Sequence, residues 1–105
     1  MIYFIQAGQG GPVKIGFTKD EMTLNGRIES LQTGNHQKLR LLWLAEGDER
    51  LERFVHRRLK AFRLNGEWFQ WTPEIEEFYV VARTLNLTVA MDRTADAPWA
   101  PRYQR

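Results

Sequence analysis

The sequence predicts an α/β domain of the α+β kind: a small sheet, mixed or antiparallel, that starts with an N-terminal β-hairpin and is flanked by about three helices. Three observations carry that expectation. Residues 2–17 hold two β-prone runs around a glycine-rich turn, and three later segments repeat apolar residues at helical spacing. The chain of 105 residues, 43% hydrophobic and 27% charged, has the composition of a single globular core. At this length roughly two thirds of the unfolded surface can be buried, enough for one core and not two.

Ile2-Tyr3-Phe4-Ile5 is the first β-prone run, Gly8 to Pro12 supplies turn chemistry, and Val13-Lys14-Ile15-Gly16-Phe17 alternates. Strand side chains point to opposite faces in turn, so Val13, Ile15 and Phe17 share one face and Lys14 and Gly16 the other. Leu24, Ile28 and Leu31 then recur at helical spacing between Thr23 and Gln32, with Gly34 as the stop. Arg27 lies on the flank of that stripe, its stem packed and its guanidinium directed outward. Leu39 to Ala45 is too short and too continuously apolar for a surface helix, and is expected as a mostly buried strand paired with the hairpin.

Asp48 is expected to cap a second helix whose apolar stripe is Leu51, Phe54, Val55, Leu59 and Phe62. Glu52 and His56, four residues apart, are neighbours at the border of the stripe. Asn65-Gly66 breaks the pattern before the aromatic cluster Glu67-Trp68-Phe69-Gln70-Trp71. Thr72-Pro73 reads as the cap and first-turn proline of a third helix. Its apolar face is Ile75, Phe78, Tyr79, Ala82 and Leu85, and Glu74, Glu76 and Glu77 sit near its positive end. Leu87 to Met91 is expected as a last edge strand. The tail beyond, with Pro98 and Pro101, is expected to be unstructured or docked, so the domain spans 1–92 and the tail 93–105.

There is no cysteine, hence neither a disulfide framework nor a cysteine zinc site, and two histidines alone do not make one. No apolar run approaches the ~20 residues of a membrane span, and the first residues lack the basic flank of a signal peptide, so a cytoplasmic protein is expected. Net charge is only +2, but Arg50, Arg53, Arg57, Arg58, Lys60 and Arg63 crowd into one stretch. Such density is either a solvated helix face or a footprint for phosphate.

The order of these features resembles the GIY-YIG nuclease superfamily. Ile2-Tyr3 on one strand and Lys14-Ile15-Gly16 on the next are followed by Arg27 on a helix and Glu52 on another. The likeness is nearest to the compact phage-type branch, T5 open-reading-frame and meiotically up-regulated gene 113-like. It rests on Tyr3 to Ile5, Val13 to Thr18, Arg27 to Gly34, Glu52 with His56, and Gly66 to Phe69, all within residues 1–71. What the resemblance implies is a metal-dependent endonuclease that hydrolyses phosphodiester bonds in DNA. Glu52 would hold Mg²⁺ or Mn²⁺, Arg27 would clamp the phosphate with its planar fork, and Tyr3 would orient or help activate the water. Lys14 stands where the superfamily's second tyrosine is expected. That leaves two candidate bases, Lys14 if burial or a neighbouring cation depresses its pKa, and His56. Lys19, Arg53, Arg57, Arg58 and Lys60 are the expected contacts to the nucleic-acid backbone.

Each of these residues also has a plainer reading. Tyr3 in an apolar strand is ordinarily core, Arg27 a surface charge, and Glu52 with Arg53 and His56 a solvated helix flank. Trp68 and Phe69 are expected in the core, whereas Trp71 is either core or a platform for an unpaired base. Glu67 is a further candidate ligand for the metal or a support to it. Two rival functions share the fold: a DNA-binding module that does not cut, and a protein-interaction domain for which Trp99 and Tyr103 are the hints. A small catalytic module also raises the expectation of a protein partner that supplies specificity.

Overall fold

The hairpin forms where its residue pattern places it. Strand β1 (Ile2–Ala7) turns back into β2 (Val13–Phe17), with Tyr3 opposite Gly16 and Ile5 opposite Lys14. Gly8 and Gly10 take φ of 66° and 71° in the turn, a region that residues with a Cβ enter at a cost. The computed structural model describes residues 1–87 and Ala90. Within them β3 (Leu39–Ala45) pairs with the outer edge of β1, and β4 (Arg63–Asn65) and β5 (Trp68–Phe69) extend the other side. The result is one five-stranded antiparallel sheet in the order β3-β1-β2-β5-β4.

Three helices complete the fold, each started by a side-chain cap. Asp20 accepts the Thr23 N–H at 2.7 Å to begin α1 (Glu21–Thr33). Asp48 accepts from Leu51 at 2.9 Å to begin α2 (Glu49–Arg58). Thr72 accepts from Ile75 at 3.3 Å ahead of Pro73, the first residue of α3 (Pro73–Thr84). These oxygens satisfy helix N–H groups that have no partner within the helix.

The sheet carries a core on each face. Ile2, Phe4, Val13 and Ile15 pack against Val55 and Leu59 from the second helix and Ile75, Phe78 and Ala82 from the third. Tyr3, Ile5 and Ala7 face the other way, onto Leu24 and Leu39, with Ile28, Leu31 and Trp68 around them. β1 is therefore buried on both faces, which is why its sequence is continuously apolar where β2 alternates.

Several expectations are corrected. β3 is an edge strand with a neighbour on one side only, so its ends are buried while Leu41 keeps 44% exposure. Phe54 leaves the apolar stripe of α2 and is 43% exposed, with the Arg57 guanidinium carbon 5.0 Å from its ring centre. Phe62 lies in a separate 3-10 turn, Lys60–Phe62, after the helix has ended. Leu85 is exposed because α3 stops before it. At Leu87 and Ala90 the backbone is helical, Ala90 N–H donating to Asn86 O at 3.0 Å, where a strand was expected. The rest of that segment, the tail, and Trp99 and Tyr103 lie outside the described residues. Among the described residues no helix is long and apolar enough to cross a membrane.

Candidate nucleic-acid interface and catalytic cleft

Tyr3 comes from the most deeply buried strand, yet its hydroxyl reaches the rim of a hollow. Its alternate neighbours Ile5 and Ala7 fasten that face of β1 into the core beneath α1. The ring lies flat across Gly16 on the paired strand; a Cβ there would stand 2.9 Å from Tyr3 Cε2 and closer still to Cζ and the hydroxyl. The glycine is needed for close approach, not for backbone freedom. Arg27, one helical turn after Thr23 on α1, shares the hollow with Tyr3 and donates from Nη1 to Phe17 O at 3.0 Å.

That bond follows from the shortness of β5. Its pairing with β2 ends at Lys14 opposite Trp68, after which Ile15 N–H still donates to Glu67 O at 3.0 Å. The carbonyls of Ile15 and Phe17, two residues apart, turn to the same edge and need other donors. His56 Nε2 meets Ile15 O at 2.6 Å, and Arg27 meets Phe17 O. A carbonyl only accepts, so Nε2 is the protonated nitrogen of His56. Two candidate site residues from opposite sides of the sheet thus finish a ladder that the backbone leaves incomplete, and their positions are set by that need.

One turn before His56, Glu52 leans into the same space, its Oε1 4.0 Å from His56 Nε2. Glu67, at the start of β5, pairs with Lys14 Nζ at 3.1 Å. Glu52, His56 and Glu67 bring one potential ligand atom each to within 4.8 Å of one another. Burial first, and the Glu67 carboxylate next, hold Glu52 above the usual glutamate range, with His56 acting in the opposite direction. Burial and Glu67 likewise push the Tyr3 phenol up, while the hydrogen bond and charge of Arg27 pull it down. Tyr3 in this state is a neutral hydroxyl. Carboxylate oxygens this near one another are hard donors of the kind a divalent cation takes.

Two hollows share Thr23, Arg27 and Glu67 as a common wall. One, of about 610 Å³, is lined by Tyr3 and Lys14 and by the face of α1 that carries Gly26 and Ser30. The other, of about 540 Å³, holds Lys19, Glu49 and Glu52. Tyr3, Lys14, Lys19, Arg27, Glu52 and Glu67 therefore line two adjoining hollows with a common wall, and His56 stands behind Glu52. On the wall it shares with Arg27, Lys14 is held against the Glu67 carboxylate.

The other expected contacts divide. Arg53 and Arg57 are exposed on α2, about 100° and about 140° around the helix from Glu52, and Lys60 is exposed just after it. Arg58 is only 6% exposed, because it falls on the buried stripe with Leu51 and Val55 at spacings of seven and three, and does not offer its charge to a ligand. Trp71 belongs to the opposite face, its ring set edge-on to Tyr79 at 5.9 Å, against the core and away from the cleft. Phe69 is fully buried as expected, whereas Trp68 is half-buried beside Lys14, whose Nζ lies 5.7 Å from its ring centre. Thr23, Gly26 and Ser30 were not singled out in the sequence. Their signal was available once Arg27 was placed, since Thr23 and Ser30, four before and three after it, share its side of the helix, and Gly26 lies three and four residues from those two.

A family model, that of the T5orf172 domain, matches residues 1–86. That span takes in every strand and helix described above. No curated protein and no solved structure gives a match to the chain.

Proposed function

The chain belongs to the T5orf172 domain family, and from that premise together with the cleft we propose that it is a metal-dependent endonuclease of GIY-YIG type that hydrolyses phosphodiester bonds in DNA. The observation that carries the reading is the convergence of Tyr3, Arg27 and Glu52, from three separate elements, on one cleft open to solvent.

The roles follow from chemistry. Hydrolysis places extra negative charge on the phosphate oxygens as the water oxygen bonds to phosphorus and the bond to the leaving sugar oxygen breaks. Arg27, already anchored to Phe17 O, presents its remaining N–H donors to those oxygens with little loss of side-chain freedom at that moment. Lys14 adds a point charge on the same wall and Lys19 another at the rim. Tyr3, a neutral hydroxyl at the wall of the hollow, orients the water. His56 is a positioning residue: its Nε2–H is engaged by Ile15 O, and it fixes the turn of α2 that carries Glu52. Glu52, with Glu67 beside it, would hold the divalent ion, which when bound supplies Lewis-acid stabilisation of the phosphate charge. Arg53, Arg57 and Lys60 extend the positive surface for the flanking backbone.

A second reading, a DNA-binding module that does not cut, is favoured by the Lys14–Glu67 ion pair standing where a second tyrosine would act. One experiment separates the two. Wild type and Glu52→Ala are incubated with labelled single-stranded, duplex and branched DNA in Mg²⁺, Mn²⁺ or EDTA, and binding and cutting are scored together. Metal-dependent cutting that the variant loses is the expected result; binding by both proteins with no cutting establishes the non-catalytic module instead.

A further inference from the structure

A third hollow, of about 440 Å³, lies on the same face of the sheet at the hairpin-turn end, and nothing in the roles above uses it. Its floor is Ala7 and Trp68, one wall is the segment that carries Asn35 and His36, and the other is Leu64 and Asn65 of β4. Its volume is within the range of small-molecule sites.

The walls are held in place. A single side-chain amide, that of Gln32, donates to Asn35 O at 3.1 Å and Gln37 O at 2.9 Å and accepts from Leu39 N–H at 2.8 Å. Gly8 N–H ties the hairpin turn to Lys38 O at 2.8 Å. Arg63 Nε donates to Gly66 O at 2.8 Å and stiffens the turn between β4 and β5. Such a built surface offers one flat aromatic ring among carboxamides and an imidazole, and no carboxylate lines it.

Its position supplies the rest of the argument. Lys14 lines the cleft and Trp68 lines this hollow, and the two side chains touch as a cation and a ring. We infer that the hollow is a nucleobase subsite, in which one unpaired base of the DNA strand stacks on Trp68 and meets the amide groups of Asn35 and Asn65 while its phosphate rests at Lys14 and Arg27. A base reaches a hollow walled on both sides only when it is out of the duplex stack, so the substrate strand is single or locally opened. Carboxamides suit base edges because they both donate and accept. The inference rests on the nuclease reading of the cleft and specifies which form of DNA that cleft takes.

The test uses the whole chain in EDTA with short probes: single-stranded tetranucleotides and tetramers of the same backbone with every base removed. Affinity is measured by titration, with nuclear magnetic resonance shifts read at the Trp68 indole N–H and the Asn35 and Asn65 amides. The intact tetramers should bind at least about tenfold more tightly than the baseless ones, the weight of one aromatic stack. Trp68→Phe should keep most of that advantage, whereas Trp68→Leu, which preserves apolar packing, and Asn65→Ala, on an exposed strand, should remove most of it. Equal binding of intact and baseless tetramers, with no shift at the Trp68 indole N–H or the Asn35 and Asn65 amides, overturns the subsite and leaves the cleft reading standing. An advantage that survives in both Trp68→Leu and Asn65→Ala places the base elsewhere and also overturns it. No binding of either probe overturns both.

Discussion

Replacing Gly16 with alanine tests whether Tyr3 is held where the cleft needs it. The new methyl would stand 2.9 Å from Tyr3 Cε2 and nearer to Cζ and the hydroxyl, all of them parts of a rigid ring. The φ of Gly16 lies outside the positive region, so the backbone tolerates a Cβ and the whole effect is steric. Tyr3 is 1% exposed and packed with Ile5, Leu24 and Leu39, so the ring has no room to slide. Overpacking of this kind costs ~1–3 kcal/mol, which in a domain of this size lowers Tm by about 5 to 20 °C. The hydroxyl must also leave Arg27, and cutting should fall further than the folded fraction does. The assay is a thermal melt followed by cleavage at a temperature where both proteins are folded, with Tyr3→Phe as the comparison. A Gly16→Ala protein that melts and cuts like wild type would refute the contact and the placement of Tyr3 built on it.

Arg27→Lys keeps the charge but cannot hold Phe17 O while presenting a fork to phosphate, so cutting should drop about 100-fold or more with DNA affinity little changed; cleavage within about threefold of wild type would remove Arg27 from the clamp. Glu52 is held above the ordinary glutamate value, which favours its protonated form in the folded chain. Without metal, its contribution to stability therefore declines as pH rises from about 4.3 through the raised value and is level above it. Metal needs the carboxylate, so the rise in Tm on adding Mn²⁺ should grow over that same window and be absent in Glu52→Gln. A Tm rise identical in the two proteins at every pH would place the metal elsewhere. His56→Ala leaves the buried Ile15 carbonyl without its donor and should cost ~1–3 kcal/mol in urea unfolding. His56→Gln, which still carries an N–H, should recover part of the stability and part of the cutting. If both variants unfold like wild type, the strut is not structural.

Much of this protein is determined locally, and so was legible in its residues. The hairpin follows from alternation and a glycine turn, and the three helices follow from apolar repeats, two of them beside the caps Asp48 and Thr72, because caps and periodicity act over a few residues. The order of Tyr3, Arg27 and Glu52 along the chain carried the resemblance that pointed to phosphate chemistry. Partner identity in space was decided by the tertiary structure alone. β4 and β5 are three and two residues long, too short for a pattern, and form because β2 offers an edge. That shortness in turn recruits His56 and Arg27 to the open carbonyls of Ile15 and Phe17. Lys14 and Glu67, far apart in the chain, become an ion pair by strand register, and Trp68 and Trp71, three residues apart, part to opposite faces of the sheet. Residue types set which chemistry is available, since charge and hydrogen bonding belong to side chains; which of them meet depends on how strands pair, a choice made by the burial of the whole sheet and not by any one segment of it.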